Sequence, residues 1–308
     1  MLAMSDENDN PNYNQMTSGA EPAAAIEFRQ VSLSFDDVPA LRDVSFTLPR
    51  GGMICITGDS RSGKSVLLRL ALGFLQPDEG DVLINGKSIV GLEETDLLAL
   101  RREAMGMVFQ ENALFTGQSV FENAAYRLTD HDWPAEDVER AVVEVLTFVG
   151  LQDELEKQAE ELSGGMKRRL ELARALIGWP PIMLFDEPTS GLDPINAKQV
   201  LDLIIRARDL HGISSLYVTK ALHEIPYLAA RRVLADGSLV SNSESPSDLF
   251  VMLLAEGRIA FWGSPRDFAD SQLSAVQHML HPVTDALHGD VEVDDPWRHN
   301  RETHSRTD

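Results

Sequence analysis

Cysteine is nearly absent from this chain. Cys55 is the single one in 308 residues, so no disulfide can close within the chain. It lies in the apolar run Met53-Ile54-Cys55-Ile56, which predicts a buried thiol in a reducing compartment. Long apolar runs are also missing. A membrane-spanning helix needs ~18–20 apolar residues in a row, and stretches such as Phe250 to Ala255 or Ile182 to Phe185 have only the length of strands. Residues 1–25 contain no Lys or Arg, the wrong pattern for a secretory signal peptide. These absences predict a soluble, cytoplasmic protein, held at a membrane only through a partner. Positive charge is scarce as well: 27 Lys and Arg stand against 49 Asp and Glu, a net charge of −22. An acidic surface argues against nucleic acid as a partner and against direct adhesion to anionic lipid. Its plainest consequence is solubility.

What is present fits one α/β domain of ~200–250 residues with a full core and no covalent staples. Residues 1–24 and 285–308 are polar and aperiodic, which predicts disordered tails around a domain at 25–284. Ile26 to Phe35 and Arg42 to Leu48 have strand character. Met53 to Thr57 is a short continuous apolar run, as expected of a strand covered on both faces. A helix is predicted from Lys64 to Leu75, then a turn at Pro77-Asp78-Glu79-Gly80, and a strand from Asp81 to Ile84 that ends in a hairpin at Asn85-Gly86. From about 111 to 161 the pattern becomes helical, with a helix starting at Pro134-Ala135-Glu136 and ended by Gly150. Another helix opens at Leu162. Ile182 to Phe185 and Ser215 to Thr219 return to the sheet. Residues 235–249 are Ser-rich and predict a surface loop, and Phe250 to Trp262 a hairpin about Glu256-Gly257. Strands alternating with helices imply a mostly parallel sheet that binds ligands at its carboxyl edge.

Three segments carry chemistry. Gly58-Asp59-Ser60-Arg61-Ser62-Gly63-Lys64-Ser65 lies between a strand and a helix. In such a loop, backbone N–H groups and the helix N-terminus face phosphates, Lys64 reaches the β- and γ-phosphates, and Ser65 ligates Mg²⁺. Arg61 and Asp59 are unusual there, and both side chains can point outward. Asp186 ends an apolar strand, where a carboxylate can hold Mg²⁺. Glu187 points differently and can orient the attacking water as general base. Ser163, Gly164 and Gly165 open a helix and form an anion-binding end; a plain Ser N-cap is the competing reading.

With Leu162-Ser163-Gly164-Gly165-Met166 placed between the phosphate loop and the acidic strand end, the chain resembles the nucleotide-binding subunits of ABC transporters over about residues 26–270. The resemblance implies a P-loop NTPase of ABC type: a mostly parallel sheet, an antiparallel β subdomain and a helical insertion. It implies ATP and Mg²⁺ as cofactors, with two ATP molecules between two copies of the chain. One copy would hold ATP through the loop from Gly58 to Val66, and the other would cap it through Ser163 to Met166. Phe35 fits the aromatic that stacks on adenine, a core strand aromatic being the rival reading. Gln110 fits the glutamine that ligates Mg²⁺ and couples to the membrane subunit. Asp193, in Ser190-Gly191-Leu192-Asp193, fits the loop that signals between the two sites. Lys220 stands where the family usually has a histidine that contacts the γ-phosphate, and the nearest histidine is His223.

Met166, the segments Ala113 to Thr116 and Val120 to Tyr126, Thr189 to Pro194, and Ser274 to Leu280 resemble the Mla/Mce-type lipid-transport ATPases. That implies an integral-membrane permease, an MCE-domain protein and a small STAS-like protein as partners, and phospholipid or another hydrophobic molecule as cargo. An amino-acid or peptide cargo, a non-catalytic regulatory subunit and a P-loop kinase remain the alternatives.

Overall fold

In the computed structural model, residues 24–280 are described, except 112, 129–132, 235 and 242–247. The two expected tails lie outside them, apart from Ala24, which already belongs to the first strand. In chain order the elements are β1 (Ala24–Phe35), β2 (Val38–Pro49), β3 (Met53–Thr57), α1 (Lys64–Ala71), β4 (Glu79–Ile84), β5 (Lys87–Ser88), α2 (Glu94–Ala104) and β6 (Met105–Val108). Then follow α3 (Val120–Ala125), α4 (Ala135–Phe148), α5 (Gly164–Leu176), β7 (Ile182–Asp186), α6 (Pro194–His211) and β8 (Ser214–Val218). The described chain closes with α7 (Glu224–Ala229), β9 (Arg231–Val233), β10 (Leu239–Ser241), β11 (Leu249–Ala255), β12 (Arg258–Gly263), α8 (Pro265–Asp270) and α9 (Ser274–Leu280).

The central sheet runs β12-β11-β3-β8-β7-β6. All its pairs are parallel except the β11–β12 hairpin. A second, antiparallel sheet runs β2-β1-β4-β5. The all-buried strand β3 explains how the layers stack. Its side chains alternate between faces. Met53 and Cys55 join one core with Phe185 and Tyr217, covered by α3 to α6. Ile54 and Ile56 join the other with Leu184 and Leu216, covered by α1 and the antiparallel sheet, where Phe28 and Phe46 stack at 4.6 Å. A parallel sheet covered on both faces needs such runs without polar alternation.

Several boundaries differ from expectation. The helix after the phosphate loop stops at Ala71 rather than Leu75. Gly73 takes the left-handed conformation (φ +69°) and Phe74 N–H reaches back to Arg69 O at 2.9 Å, a Schellman stop. The Ser-rich stretch is not a loop throughout: Leu239–Ser241 pairs with β9, and Leu249 opens β11. Helix α2 is absent from the sequence reading because Leu97 and Ala104 are its only buried residues, too few for a periodic stripe. Its acidic first turn and basic last turn were the available signals.

Burial pushes the Cys55 thiol up to about 12. Iodoacetamide at pH 8 is expected to leave the native chain unmodified and to label it fully in denaturant; native labelling would show that β3 is open to solvent.

Candidate functional site

The carboxyl ends of β3, β8, β7 and β6 lie side by side, because Ile56 pairs with Val218, Asp186 with Val218, and Val108 with Phe185. This register brings the phosphate loop, Lys220, Asp186-Glu187 and Gln110 to one sheet edge, although they are far apart in sequence. Gly58 is required there by space: it has φ +146°, and a Cβ would stand 2.1 Å from Leu254 O of the neighbouring strand β11. Ser62 and Gly63 are buried, while Asp59, Ser60 and Arg61 are exposed, so the two unexpected charges do face outward. Arg61 takes a left-handed conformation (φ +67°), an uncommon one for a side-chain-bearing residue.

Lys64 is the buried centre of the loop. Its Nζ donates to Gly58 O at 2.7 Å, Asp59 O at 2.6 Å and Ser62 Oγ at 3.2 Å. Burial lowers its pKa, the nearby Lys220 adds to this, and Glu187, Asp59 and Asp186 oppose it. Gly63 offers α1 no capping side chain. The first-turn N–H groups of α1 have no intrahelical partner, and such groups can face an anion. Val66 is half-buried against the antiparallel-sheet core.

Ser65 Oγ donates to Asp186 Oδ1 at 3.4 Å. Burial pushes the Asp186 carboxyl up, and the Ser65 hydrogen bond resists this. A hydroxyl and a desolvated carboxylate so placed fit a small divalent cation, whose preferred ligands are oxygens and whose charge would compensate the buried carboxylate. Glu187, one residue on, leaves the sheet in a left-handed turn (φ +48°) held by its N–H on Val218 O at 2.9 Å. Its Oε1 pairs with Lys220 Nζ at 2.7 Å. A cavity of about 510 Å³ opens beside this pair, lined by Thr189, His223 and Glu224 among others. His223 thus shares a cavity with Lys220.

Glu224 had no sequence signal, yet it organises this corner. It is 1% exposed, and its carboxylate accepts from Thr189 Oγ1, from Tyr217 Oη at 2.8 Å and from Thr219 Oγ1 at 2.6 Å. Thr189 follows Glu187 closely and Thr219 precedes Lys220. One buried carboxylate therefore fixes both loops.

The remaining expected residues lie on other elements. Phe35 is 45% exposed at the end of β1, so it is not a core aromatic. Gln110 is exposed, two residues past β6. Ser163 caps α5, accepting from Met166 N–H at 3.3 Å, so the N-cap reading holds; its exposed position leaves the anion-binding reading open as well. Gly164 has open space around it, whereas a Cβ on Gly165 would stand 2.0 Å from Asn196 Oδ1. Asp193 caps α6 through Ile195 and Asn196 N–H.

Residues 41–190 match the family model described as ABC transporter. The methionine import ATP-binding protein MetN of Leifsonia xyli subsp. xyli is 38% identical over 74% of this chain and 68% of its own length. This chain belongs to the ATP-binding subunits of ABC transporters. MetN 1 of Rhodopseudomonas palustris is also 38% identical, over 70% of the chain and 57% of its own length. The chain thus spans a little over half to two thirds of the methionine-import relatives. The intermembrane phospholipid transport protein MlaF of Escherichia coli K12 is 34% identical over 78% of the chain and 93% of its own length. The fold recurs in cbiO1 from Clostridium perfringens (TM-score 0.69, 24% identity, 84% and 96% of the two chains). It recurs also in dimeric MJ0796 bound to ADP and Pi (TM-score 0.67, 24% identity, 78% and 99%). As a member of this ABC family the chain is an ATPase. Among the described residues no helix is long and apolar enough to cross a membrane.

Proposed function

We propose that the chain powers a lipid-type ABC transporter by closing on two ATP molecules with a second copy of itself. Each ATP would lie on Lys64 and Ser65 of one copy and under Ser163 and Gly165 of the other. Mg²⁺ would be held by Ser65, Asp186 and Gln110, and Glu187 would orient the water. Phe35, exposed at a strand end, would stack on adenine, and Asp193 would link the two sites. Catalysis of this kind is positioning and charge stabilisation. The observation that carries it is the meeting of Lys64, the Ser65–Asp186 pair and Glu187 at one sheet edge.

The permease would engage a groove of about 470 Å³ beside Gln110, rimmed by Phe74, Phe109, Phe115, Tyr126, Arg101 and Arg174. This would hold the chain at the cytoplasmic face of the inner membrane. A phospholipid or other hydrophobic cargo is supported by the likeness to MlaF over 93% of that protein and by Met166 after the paired glycines. MCE-domain and STAS-like proteins would complete the assembly. Methionine or another amino acid is the second reading, favoured by the 38% identity to the methionine-import relatives. Purification of the tagged chain from its own membranes tests the choice. Recovery of a permease with an MCE-domain protein is expected; recovery of a permease with a soluble amino-acid-binding protein would overturn the lipid reading.

Lys220 supplies positive charge to phosphate but cannot accept a hydrogen bond or relay a proton. Its pairing with Glu187 also engages the proposed base. Lys220→His is expected to raise kcat about three- to tenfold, a modest share of what proton-transfer groups contribute. Unchanged turnover would show that Lys220 does not limit hydrolysis.

A further inference from the structure

The basic run Lys167-Arg168-Arg169 follows the helix start at Ser163, and nothing above gives it a task. Arg168 and Glu171 form an ion pair at 2.7 Å with side chains only 8% and 5% exposed. Both are committed to one loop. Arg168 Nη1 donates to Phe109 O at 2.7 Å and Nη2 to Gln110 O at 3.1 Å, while Ala113 N–H donates to Glu171 Oε1 at 3.0 Å. Arg174 continues the same face at the same spacing. It donates to Ala113 O at 2.7 Å and lies over the Phe115 ring at 5.1 Å. Three residues at i, i+3 and i+6 of α5 thus hold the first part of the loop that carries Gln110, at Phe109, Gln110, Ala113 and Phe115. Arg169 binds on the other side, to Val149 O and Gly150 O, which ties in the end of α4.

A buried ion pair is a poor device for stability alone, because apolar residues of equal volume generally serve as well. Here burial pushes the Glu171 carboxyl up, against the opposing pull of Arg168. What apolar residues could not do is bond the backbone of a segment whose described residues, 109–111 and 113–115, belong to no strand or helix. Arg168 and Glu171 satisfy that backbone and fix its distance from α5.

We propose that Arg168 and Glu171 are positioning residues that lock the Gln110 loop to the helix beginning at Ser163, so that the metal-ligating loop and the partner-facing helix end move as one body. The inference rests on the roles given above to Gln110 and Ser163. Closure of a second copy onto Ser163 would then set Gln110, and a displacement of the groove wall at Phe109 and Phe115 would in turn move Ser163.

A double-mutant cycle on the full chain tests this, with ATP turnover and its Mg²⁺ dependence as readouts. Arg168→Gln is expected to cut kcat at least tenfold and to raise the Mg²⁺ concentration needed for half-maximal rate. The KM for ATP should change less than threefold, since the phosphate loop is untouched. In a Gln110→Ala background the same substitution is expected to add less than twofold. Full additivity would overturn the proposal and leave Arg168 as a structural residue. A second measurement does not depend on Gln110 having a catalytic role. Amide exchange over residues 109–113 should accelerate at least tenfold in Arg168→Met/Glu171→Leu, which preserves apolar bulk, while exchange in β3 and β7 stays unchanged. Unchanged exchange over 109–113 would overturn the clamp itself. Loss of the exchange protection together with a silent Gln110→Ala would keep the clamp and refute the role given to Gln110.

Discussion

Glu187→Gln is expected to lower ATP turnover by about 10²–10³-fold while leaving ATP affinity nearly unchanged, because the amide keeps the shape of the side chain but cannot take up a proton. The structure holds this carboxylate in a defined place. Its backbone is fixed at φ +48° by the Val218 carbonyl, and Glu224 braces the loops on either side through Thr189 and Thr219. The substitution also removes the charge facing Lys220. Half of the Lys220 side chain is in solvent, so the lost ion pair should cost little stability, and the melting temperature should hardly move. With hydrolysis blocked, ATP and Mg²⁺ should convert the chain to a dimer in size-exclusion chromatography. A cross-link from a cysteine placed at Ser163 to the nucleotide site of the other copy would confirm the geometry. A variant that hydrolyses ATP at the original rate would remove Glu187 from the mechanism, and one that binds ATP without dimerising would remove the shared site.

Lys64→Ala is expected to weaken ATP binding by roughly 30- to 150-fold, the equivalent of about 2–3 kcal/mol for a lost charge-assisted contact. Two effects add. The ammonium group is lost to the phosphates, and the loop loses the donor that ties Gly58 O to Asp59 O. Equilibrium binding of a fluorescent ATP analogue would measure this, and an affinity within threefold of the original would sink the assignment. The lowered pKa of Lys64 gives a pH signature whose sign is fixed. In the proposed role the charged form would bind phosphate, and burial makes that form easier to deprotonate. Affinity should therefore be full at neutral pH and fall as pH rises, beginning at a lower pH than an exposed lysine would give.

Parts of this molecule were legible in the chain. The strand β3 was readable because a buried parallel strand has no polar alternation, and Gly150 was readable as the end of α4 because only glycine readily closes that turn with φ +68°. Lys64, Ser65 and Asp186 could be named as candidates from type and spacing, and the structure brings Ser65 and Asp186 into contact. Other parts were invisible. Helix α2 lacks an apolar stripe. Glu224 looks in sequence like any acidic residue at a helix start, yet its burial at 1% and three hydroxyl donors make it the brace of the loops that carry Glu187 and Lys220. Arg168 read as one of three basic residues. Only the tertiary structure shows that its charge is spent on Glu171 and on the carbonyls of the loop after β6.

The sequence by itself determined the chemistry available: a glycine-framed loop with a lysine, a strand-end carboxylate pair and a serine-capped helix, each written in a few consecutive residues. These are local because the backbone conformations they require are local. Tertiary structure alone decided which of these groups face one another. The register of four parallel strands sets Lys220 against Glu187 and Ser65 against Asp186. The packing of α5 against the β6 edge joins the Gln110 loop to Ser163. Such pairings depend on the crossing of elements far apart in the chain, and no short stretch of residues encodes that.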